Sequence, residues 1–450
     1  MNKYNTHTQF LDIWISKIPA HWQAHKMKHL FSERSEKGYP NEPLLVASQN
    51  MGVVPKNVYG NRTVEAQKDL HLLKLVRVGD FVISLRSFQG GLEYAYYQGI
   101  ISPAYTILIP HEPMSGSYFR YLAKSKPFIG LLTLCVTGIR EGQNIDYAKL
   151  KNHLLPVPPH EEQDQIVRFL NWKVSSINKL IRIRKRQIEE LEAIKRSSIG
   201  YLVMGQAQSI PQRDTEVNWV KTIPAHWNEK TLIQVAEEQQ IKNAGMVEDN
   251  LLSLSYGKII NKDINTADGL LPSSFEGYQI VHDGNIILRL TDLQNDHKSL
   301  RTGLVTQTGI ITSAYTCLKV RHNILPEYLQ LQLHVADLCK VFYGMGGGVR
   351  QSIGFTEIRK LVIAIPPVEE QQYILDRVHG IEKPINCAIQ NIRDIIAGLE
   401  DLKTRLISDA VTGKIDVRGI EIPEYEFVDE DNDNVDENLE QGADEPPEEE

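Results

Sequence analysis

Cysteine is scarce in this sequence, and the few cysteines present stand apart from one another. The 450 residues include four of them, and no two form a C-x-x-C pair. A set this small and scattered argues against both a disulfide framework and a zinc site, and it favours a reducing, cytoplasmic environment. The four positions are Cys135, Cys317, Cys339 and Cys387.

Long apolar runs are missing as well. No stretch approaches the roughly 18 apolar residues that a membrane-spanning helix needs, and the N-terminal sequence MNKYNTHTQF lacks the apolar segment of a signal peptide. Hydrophobic residues nevertheless make up 42% of the chain, which is ample for the cores of two or three domains. These features predict a cytoplasmic, multidomain protein without a membrane partner.

Familiar catalytic and nucleotide-binding signatures are also lacking. The 14 histidines form no H-E-x-x-H motif, and the glycine cluster GMGGGVR lacks both the Gly-Lys-Ser/Thr ending of a phosphate loop and the spacing of a dinucleotide loop. His21 and His226 each precede a tryptophan, and a turn that packs this tryptophan onto its domain explains them better than catalysis. We therefore predict a non-catalytic protein that binds no cofactor or metal directly.

One short stretch is partly similar to a catalytic loop. Residues 102–105 (SPAY) resemble the Ser/Asn/Asp-Pro-Pro-aromatic loop of amino-methyltransferases, but the second proline is missing. The corresponding residues 312–315 (TSAY) contain no proline at all. A buried strand that carries a tyrosine is the interpretation we favour, and an enzyme with a degenerate methyltransferase site is the alternative.

Negative charge is concentrated at the C-terminal end. Residues 424–450 contain 14 Asp or Glu and no Lys or Arg, which is typical of a disordered acidic tail. The whole chain has a formal net charge of −8, whereas residues 1–423 hold 49 basic and 43 acidic residues, a balance of +6. This body permits a polyanionic partner, although the charge alone fits an ordinary enzyme with an acidic tail equally well.

The chain contains a long tandem repeat. The pentapeptide IPAHW occupies residues 18–22 and again 223–227, an offset of 205 positions. PPHEEQDQI at 158–166 returns as PPVEEQQYI at 366–374, an offset of 208 positions. Between these anchors the match is looser, as in the pair GIISPAY and GIITSAY. Firm ends with a variable interior indicate two copies of a unit the size of a domain plus a connecting helix.

A long helix is predicted at the end of each copy. Apolar residues follow at steps of three or four from Ile374 to Leu406, which indicates the seam of a coiled coil. The equivalent positions from Ile166 to Ser198 are apolar at seven of ten places. Pro384 lies inside the second helix, where we expect a kink. Pairing of the two helices within one chain is the simplest arrangement, and dimerisation with another protein is the alternative.

The segments before each Pro-Pro pair are rich in short strands. Runs such as RVGDFVISLR and GNIILRL are bounded by Gly, Asn and Asp turns, and short helices are expected at 116–126 and 326–338. The predicted fold class is α+β: two mixed, β-rich domains separated by two long antiparallel coiled-coil helices, in a tandem repeat with pseudo-twofold symmetry. The predicted segments are an N-terminal segment (1–22), a first domain (23–158), a first spacer helix (159–205), a linker with the repeat start (206–227), a second domain (228–366), a second spacer helix (367–415) and an acidic disordered tail (416–450).

Polar loops occur at corresponding places in the two copies. Arg, Gln and Asn cluster after the strand FVIS and after its counterpart NIIL, and these side chains form paired hydrogen bonds with guanine and adenine edges. A second pair of loops, TGIREGQN and GMGGGVRQS, combines the same polar types with glycine, which lets the backbone approach a partner closely. Solvated loops without a ligand are the alternative. The candidate DNA-binding residues are Arg86, Ser87, Gln89, Arg140, Gln143, Asn144, Arg289, Thr291, Asp292, Gln294, Asn295, Arg350, Gln351 and Ser352.

Taken together, these features resemble the specificity (S) subunits of type I restriction-modification enzymes. The resemblance covers residues 16–415 and rests on IPAHW, the GIITSAY-like strand, PPHEEQ and PPVEEQ, and the helix ends LEAIKRSSIGYLVMGQ and LEDLKTRLISDAVTGKID. The acidic residues after Gly419 are not part of the family pattern.

The resemblance implies a DNA-binding subunit with two target-recognition domains, each reading one half of a bipartite, asymmetric sequence in double-stranded DNA. It also implies that the helices hold the domains apart and dock two methyltransferase (M) subunits, which restriction/translocase (R) subunits then join. S-adenosylmethionine, ATP and Mg are then expected on those partner subunits. A coiled-coil scaffold that binds proteins without DNA specificity is the alternative function.

Overall fold

The computed structural model describes residues 3–59, 69–137, 144–206, 210–264, 274–293, 300–321, 323–345 and 352–429. These residues form two units. The first comprises the described residues of Met1–Arg186 and Ile392–Val435, and the second those of Gln187–Asn391. Because the division falls inside both long helices, each unit combines one β-rich domain with the beginning of one long helix and the end of the other.

Short strands and helices alternate in the first unit. Its strands are β1 (His7–Gln9), β2 (Lys17–Pro19), β3 (Gln23–Lys26), β4 (Phe31–Arg34), β5 (Leu45–Ser48), β6 (Gly52–Pro55), β7 (Lys74–Val76), β8 (Phe81–Ile83), β9 (Glu93–Tyr94), β10 (Gly99–Ile101), β11 (Thr106–Pro110), β12 (Val136–Thr137), β13 (Asn144–Ile145) and β14 (Leu154–Val157). Its helices are α1 (Met27–Leu30), α2 (Lys56–Tyr59), α3 (Ser87–Gly90), α4 (Gly116–Ala123), α5 (Lys126–Leu134), α6 (Tyr147–Leu150) and the beginning of α7 (His160–Val203), with a 3₁₀ turn at Leu70–Leu72.

The central sheet of the first unit is antiparallel, with the strand order β4-β11-β8-β9. Strand β8 is buried on both faces. Its side chains alternate between the two faces, and each face packs against a different apolar cluster. Phe81 and Ile83 pack into the main core with helices α4 and α5, whereas Val82 belongs to a second cluster with Leu45 and Val53. The end of β8 is therefore fixed by two cores, and so is the start of the loop that follows it.

The second unit repeats this order. Its strands are β15 (Gln212–Asp214), β16 (Thr222–Pro224), β17 (Asn228–Thr231), β18 (Ala236–Glu238), β19 (Leu252–Ser255), β20 (Lys258–Asn261), β21 (Gln279–Val281), β22 (Ile286–Leu288), β23 (Thr302–Leu304), β24 (Gly309–Ile311), β25 (Thr316–Val320) and β26 (Val362–Ile365). Its helices are α8 (Leu232–Val235), α9 (Pro326–Leu338), α10 (Phe355–Ile358) and the beginning of α11 (Val368–Val411), with a 3₁₀ turn at Val341–Gly344. The sheet order β18-β25-β22-β23 corresponds to that of the first unit, and β22 again lies between two apolar clusters.

Local sequence signals explain where the long helices begin and end. Each helix follows a Pro-Pro pair and has two glutamates in its first turn, where the positive end of the helix dipole favours carboxylates. A left-handed glycine follows two residues after the last residue of each helix, Gly205 with φ 68° and Gly413 with φ 71°. The N–H groups of this glycine and of the next residue bind carbonyls of the last turn, as in a Schellman motif. Helix α11 continues through Pro384 without a break.

Burial along the long helices follows the apolar periodicity only in part. Ile166 and Ile177 of α7 are buried in the core of the first unit, and Ile374 of α11 is buried in the core of the second. Two residues of the predicted seams are exposed, Ile194 at 54% and Leu402 at 43%. The apolar stripe is thus continuous in the sequence but not in its burial.

An extended segment, residues 416–429, lies along the first part of α7 in the first unit, and we call it the strap. Gln165 donates its amide to two carbonyls of the strap over 3.1 and 2.8 Å. Farther along α7, the Ser175 hydroxyl accepts the N–H of Val428 over 2.6 Å. Val417 and Val428 are buried, at 0% and 7% exposure. The strap and α7 therefore share a continuous interface.

The strap departs from the disordered tail that the sequence predicts from residue 416 onward. Its apolar residues are interspersed among the acidic ones, and Ile420 and Ile422 pack against the same core as Val417. This apolar content gives residues 416–429 enough burial to order them. Residues 430–450 lie outside the described residues.

Candidate nucleic-acid interface

The repeated pentapeptide anchors each domain to the first turn of a long helix. In the first unit a ring nitrogen of His21 lies 2.7 Å from the Glu162 carboxylate, and Trp22 donates its indole N–H to the same carboxylate over 3.1 Å. In the second unit His226 makes the equivalent 2.7 Å contact with Glu370. Since the tryptophans of both copies are buried, the predicted tryptophan-packing turn is confirmed.

The glutamine that follows each of these glutamates fixes the loop before a domain helix. Gln163 accepts the N–H of Ser115 over 2.8 Å and donates to the carbonyl of Pro158 over 2.9 Å. Gln371 likewise accepts the N–H of Leu325 over 2.8 Å. The Glu-Glu-Gln motif therefore attaches the domain of each unit to its long helix. The favourable charge of glutamates at the start of a helix does not by itself predict this role.

The loop after β8 presents two of the predicted residues to solvent. Arg86 and Gln89 are exposed on either side of the start of α3. Ser87 is fully buried, and its hydroxyl accepts the backbone N–H of Ser84 over 2.8 Å. Ser87 thus shapes the loop from inside, while Arg86 and Gln89 form its outer surface.

The loop after β22 has a comparable surface in the second unit. Asp292 is exposed, and Arg289 and Thr291 are half-buried beside it. Asp292 has φ 53°, a left-handed conformation that Asp adopts more readily than most residues. Leu293 beyond it is fully buried, so the described part of this loop is tied to the core at both ends.

The second pair of predicted loops is described only in part. Asn144 is exposed in β13, and Ser352 is exposed directly before Ile353. The N–H of Ile353 donates to the carbonyl of Leu290 over 3.0 Å, so that Ser352 lies next to the loop after β22. The remaining candidates, Arg140, Gln143, Gln294, Asn295, Arg350 and Gln351, lie outside the described residues.

Comparisons with known proteins agree with the resemblance in the sequence. The model of the type I restriction modification DNA specificity domain matches residues 303–396. The putative type I restriction enzyme MjaX specificity subunit and the type I restriction enzyme MjaIX specificity subunit, both of Methanocaldococcus jannaschii, are each 22% identical to this chain. The matches cover 90% and 93% of this chain and 96% and 99% of those proteins.

The fold is similar to that of a solved structure. A chain solved in work on complex assembly and conformational transition of the type I restriction-modification system matches with a TM-score of 0.60 at 13% identity, over 88% of this chain and 99% of that chain. The chain is therefore similar in sequence to type I restriction enzyme specificity subunits and in fold to a chain of a type I restriction-modification system.

Sequence reasoning missed a tyrosine cluster beside the loop after β8. The rings of Tyr94 and Tyr96 lie 5.0 Å apart, and Arg120 donates to the Tyr96 hydroxyl over 3.2 Å. Tyr96 and Tyr97 are each 45% exposed. Burial raises the pKa of Tyr121, next to Arg120, to about 12. The signal was the run EYAYYQG, directly after the predicted loop, which carries three tyrosines in four positions.

The SPAY stretch is a turn, not the buried strand that the sequence suggests. Residues 102–105 connect β10 with β11, and the N–H of Tyr105 donates to the carbonyl of Ser102 over 3.2 Å. In the second unit the side chain of Gln279 donates to the carbonyls of Thr312 and Tyr315 over 3.1 and 2.6 Å. Both stretches therefore serve as connections between strands.

Two further features of the described residues concern metals and membranes. Within the described ranges, no cluster of three or more His, Cys, Asp or Glu side chains is arranged to hold a metal ion. In the same part of the chain, no helix is both long enough and apolar enough to span a bilayer.

Proposed function

We propose that each unit of this specificity subunit reads one half of a bipartite, asymmetric sequence in double-stranded DNA. The main support is that polar side chains follow the same central strand in both units. Arg86 and Gln89 come after β8, and Arg289 and Asp292 come after β22. Arg and Gln form paired hydrogen bonds with base edges in the major groove. Two such loops, one in each unit, match a target made of two short motifs.

Affinity and sequence choice have different sources in this proposal. Contacts from Lys and Arg to phosphates supply affinity that depends on salt but not on sequence. The balance of +6 over residues 1–423 provides for such contacts. Contacts to base edges then decide which sequence is bound, and these we assign to the loops after β8 and β22.

We further propose that α7 and α11 form an antiparallel coiled coil that fixes the gap between the two half-sites. Each helix has 44 residues, which is about 66 Å at a rise of 1.5 Å per residue. In the first unit Lys403 donates to Asn178 over 3.4 Å, and in the second unit Lys195 donates to Asn386 over 3.1 Å. The two helices thus lie side by side within each unit, as a coiled coil requires.

The same helices are our candidate for the docking site of the partner subunits. Leu180, Ile183, Ile194 and Tyr201 of α7 are all more than 45% exposed, and exposed apolar groups on one element favour a protein partner. We propose that two methyltransferase subunits dock here, that restriction/translocase subunits join them, and that S-adenosylmethionine, ATP and Mg are bound by these partners.

Selection from pools of random duplexes, by the full chain together with its methyltransferase partner, tests the proposal. We expect enrichment of two short motifs at a fixed gap. Arg289→Ala should relax base choice only in the motif read by the second unit, and Arg86→Ala only in the other. Each lost base contact should cost about 1–3 kcal/mol. Equal relaxation of both motifs contradicts the assignment of one motif to each unit, and the absence of any enrichment supports the scaffold alternative.

A further inference from the structure

Lys124, at the C-terminal end of α4, lies behind the loop after β8. Its ammonium group donates to the carbonyls of Gln49 and Gly90 over 3.1 and 3.0 Å. It also donates to the fully buried carboxylate of Glu93 over 2.6 Å. The side chain of Gln49 in turn donates to the carbonyl of Arg86 over 3.2 Å. One lysine thus connects the loop after β8 with the turn between β5 and β6.

The contact of this loop with α4 leaves no room for side chains. Gly91 has φ 82°, and a Cβ atom at this position would lie 2.1 Å from the carbonyl oxygen of Ala123. A Cβ atom at Gly90 would lie 2.8 Å from the Gln49 side chain. The backbone of the loop is therefore seated directly on the end of α4, beside Lys124.

In the second unit Arg301 lies behind the loop after β22. It is fully buried, and its guanidinium group donates to the carbonyls of Arg289 and Thr291 over 3.1 and 2.8 Å. The guanidinium carbon lies 5.1 Å from the ring centroid of Tyr343. The backbone N–H of Arg301 donates to the carboxylate of Asp337 in α9 over 2.8 Å. The carbonyls that Arg301 binds belong to the predicted DNA-binding residues themselves.

The helix and the edge strand exchange roles between the two supports. In the first unit the cation, Lys124, ends a helix and the acidic partner, Glu93, is in the edge strand β9. In the second unit the cation, Arg301, directly precedes the edge strand β23, and Asp337, which accepts the backbone N–H of Arg301, is in the helix α9. In each unit a cation therefore binds at least one carbonyl of the loop, and the cation comes from a different element in each.

We propose that Lys124 and Arg301 are positioning residues that set the base selectivity of their loops, an inference that rests on the proposed function. Base readout requires side chains held to within about 0.5 Å by supporting contacts. Carbonyl bonds from a cation are stronger than those from a neutral donor, and each cation here binds two carbonyls of its surroundings at once. Loss of the hydrogen bonds that either residue donates to these carbonyls should make its loop more mobile and lower the base preference of that unit alone.

Lys124→Met tests the first support, because methionine keeps an apolar stem and removes the three donated hydrogen bonds. The matched control is Lys126→Met, because Lys126 is two residues away and its side chain is 68% exposed. Among the ion pairs of the described residues, Lys126 takes part only in the one with the exposed Asp401, over 3.3 Å. In duplex selection with the methyltransferase partner, we expect base preference to fall roughly tenfold in the motif assigned to the first unit by Arg86→Ala. In the other motif, and in the control, it should change less than about twofold.

Arg301→Lys tests the second support, because lysine keeps the charge but loses the planar fork, in which one terminal nitrogen binds the carbonyls of Arg289 and Thr291 and the other binds that of Asp292. Arg321→Lys is the control, as Arg321 is 49% exposed and contacts Glu237 over 3.4 Å at the surface. We expect the same roughly tenfold loss, now in the motif that Arg289→Ala relaxes. The salt dependence of duplex binding should stay unaltered in both variants, because no phosphate contact is removed.

The outcomes separate the possible explanations. A purely structural role would lower the active fraction for all duplexes and would leave base preference intact, which would overturn the inference. An equal loss of base preference in both motifs would also overturn the inference. If the unaltered chain selects no bipartite duplex, the proposed function itself fails. If the unaltered chain selects one and both variants retain its preference, only the inference about Lys124 and Arg301 fails.

Discussion

His334 is a histidine that the second unit holds in its interior, on helix α9. Its Nδ1 atom is buried and has no hydrogen-bond partner among the described residues. Burial lowers the pKa of His334 to about 4, with a smaller contribution from the positive charge of Lys195. The folded unit therefore keeps this ring neutral over the range in which a solvated histidine takes up a proton.

The second unit should consequently lose stability in mild acid. Between about pH 6.5 and pH 4 the unfolded chain binds a proton at His334 and the folded chain does not, so the free energy of unfolding falls as the pH falls. At about 1.4 kcal/mol for each pKa unit, the loss is about 3 kcal/mol. His334→Gln should remove this loss in urea unfolding at pH 7, 5.5 and 4, whereas His282→Gln, at an exposed site, should not. An unaltered pH dependence in the His334 variant contradicts the prediction.

At the level of residues, the repeat predicts where polar loops lie but not how they are held. Arg86 and Arg289 stand out because like side chains recur after like strands. Arg301 does not, because strand pairing aligns it with Gly91 of the first unit. A support that changes both its residue type and its element between copies leaves no repeated signal, and only the three-dimensional contacts reveal it.

The strap is an element of the first unit that adds to its stability. Ending the chain after Ile415 removes the buried side chains of Val417 and Val428 and the hydrogen bonds to α7. Burial of such side chains contributes about 1.5–3 kcal/mol each, so we expect a loss of about 3 kcal/mol or more. Hydrogen exchange of the α7 amides near Ser175 should report it as faster exchange.

A chain that ends after Asp429 is the control for the strap. It keeps every described contact of the strap, and the exchange of the α7 amides should match that of the full chain to within about 0.5 kcal/mol. Faster exchange in this control would assign the stability to residues 430–450. Equal exchange in all three chains would mean that the strap contributes nothing.

The elements that the sequence predicts well are those whose ends carry a chemical signal. Pro-Pro, paired glutamates and a terminal glycine delimit α7 and α11, and each acts through local backbone chemistry. The strap has no such signal, because its acidic composition dominates and its few apolar residues lack a period. Its order comes from contact with Gln165 and Ser175, which are about 250 residues away in sequence.

A change in the length of α7 should change the gap between half-sites. Four residues inserted after Ile188 move the two ends of the helix apart by about 6 Å, close to two base-pair steps, and add about one turn. The selected gap should shift while both motifs stay the same, as duplex selection will show. Four residues inserted after Asp429, beyond the strap, are the control. A gap that does not respond to the helix insertion would show that the coiled coil does not fix the distance between the half-sites.

At the scale of the whole molecule, the boundaries of the sequence repeat differ from the boundaries of the two structural units. The sequence repeats as domain plus following helix, but the first unit ends with the C-terminal part of α11 and the second contains the C-terminal part of α7. In the first unit Tyr118 donates to the carbonyl of Val411 over 2.9 Å. In the second, Gln332 donates to the carbonyl of Val203 over 3.1 Å. Each domain therefore holds the end of the helix that belongs to the other copy.

The two helix ends meet the pentapeptides in the same way, although only one of them is joined covalently to the pentapeptide that it meets. A Cβ atom at Gly205 would lie 2.4 Å from Pro224, and a Cβ atom at Gly413 would lie 2.2 Å from Pro19. Along the chain, Gln212 begins β15 seven residues after Gly205. If residue 415 is joined directly to residue 3, the first residue of β1 follows Gly413 by the same seven positions.

A chain rebuilt as residues 210–415 followed by 3–206 should therefore fold, assemble with the methyltransferase subunits and select the same bipartite duplex. The new junction reproduces a connection that the second unit already has, and the cut falls between Gln206 and β15. The matched reference is the unpermuted chain 3–415 without residues 207–209, which lacks the strap equally, so that any difference comes from chain order alone. We expect the permuted chain to be less stable than this reference by about 1–3 kcal/mol, the size of a single substitution. A permuted chain that stays insoluble while the reference folds, or that selects a different duplex, would show that the two copies have become specialised for their places in the sequence.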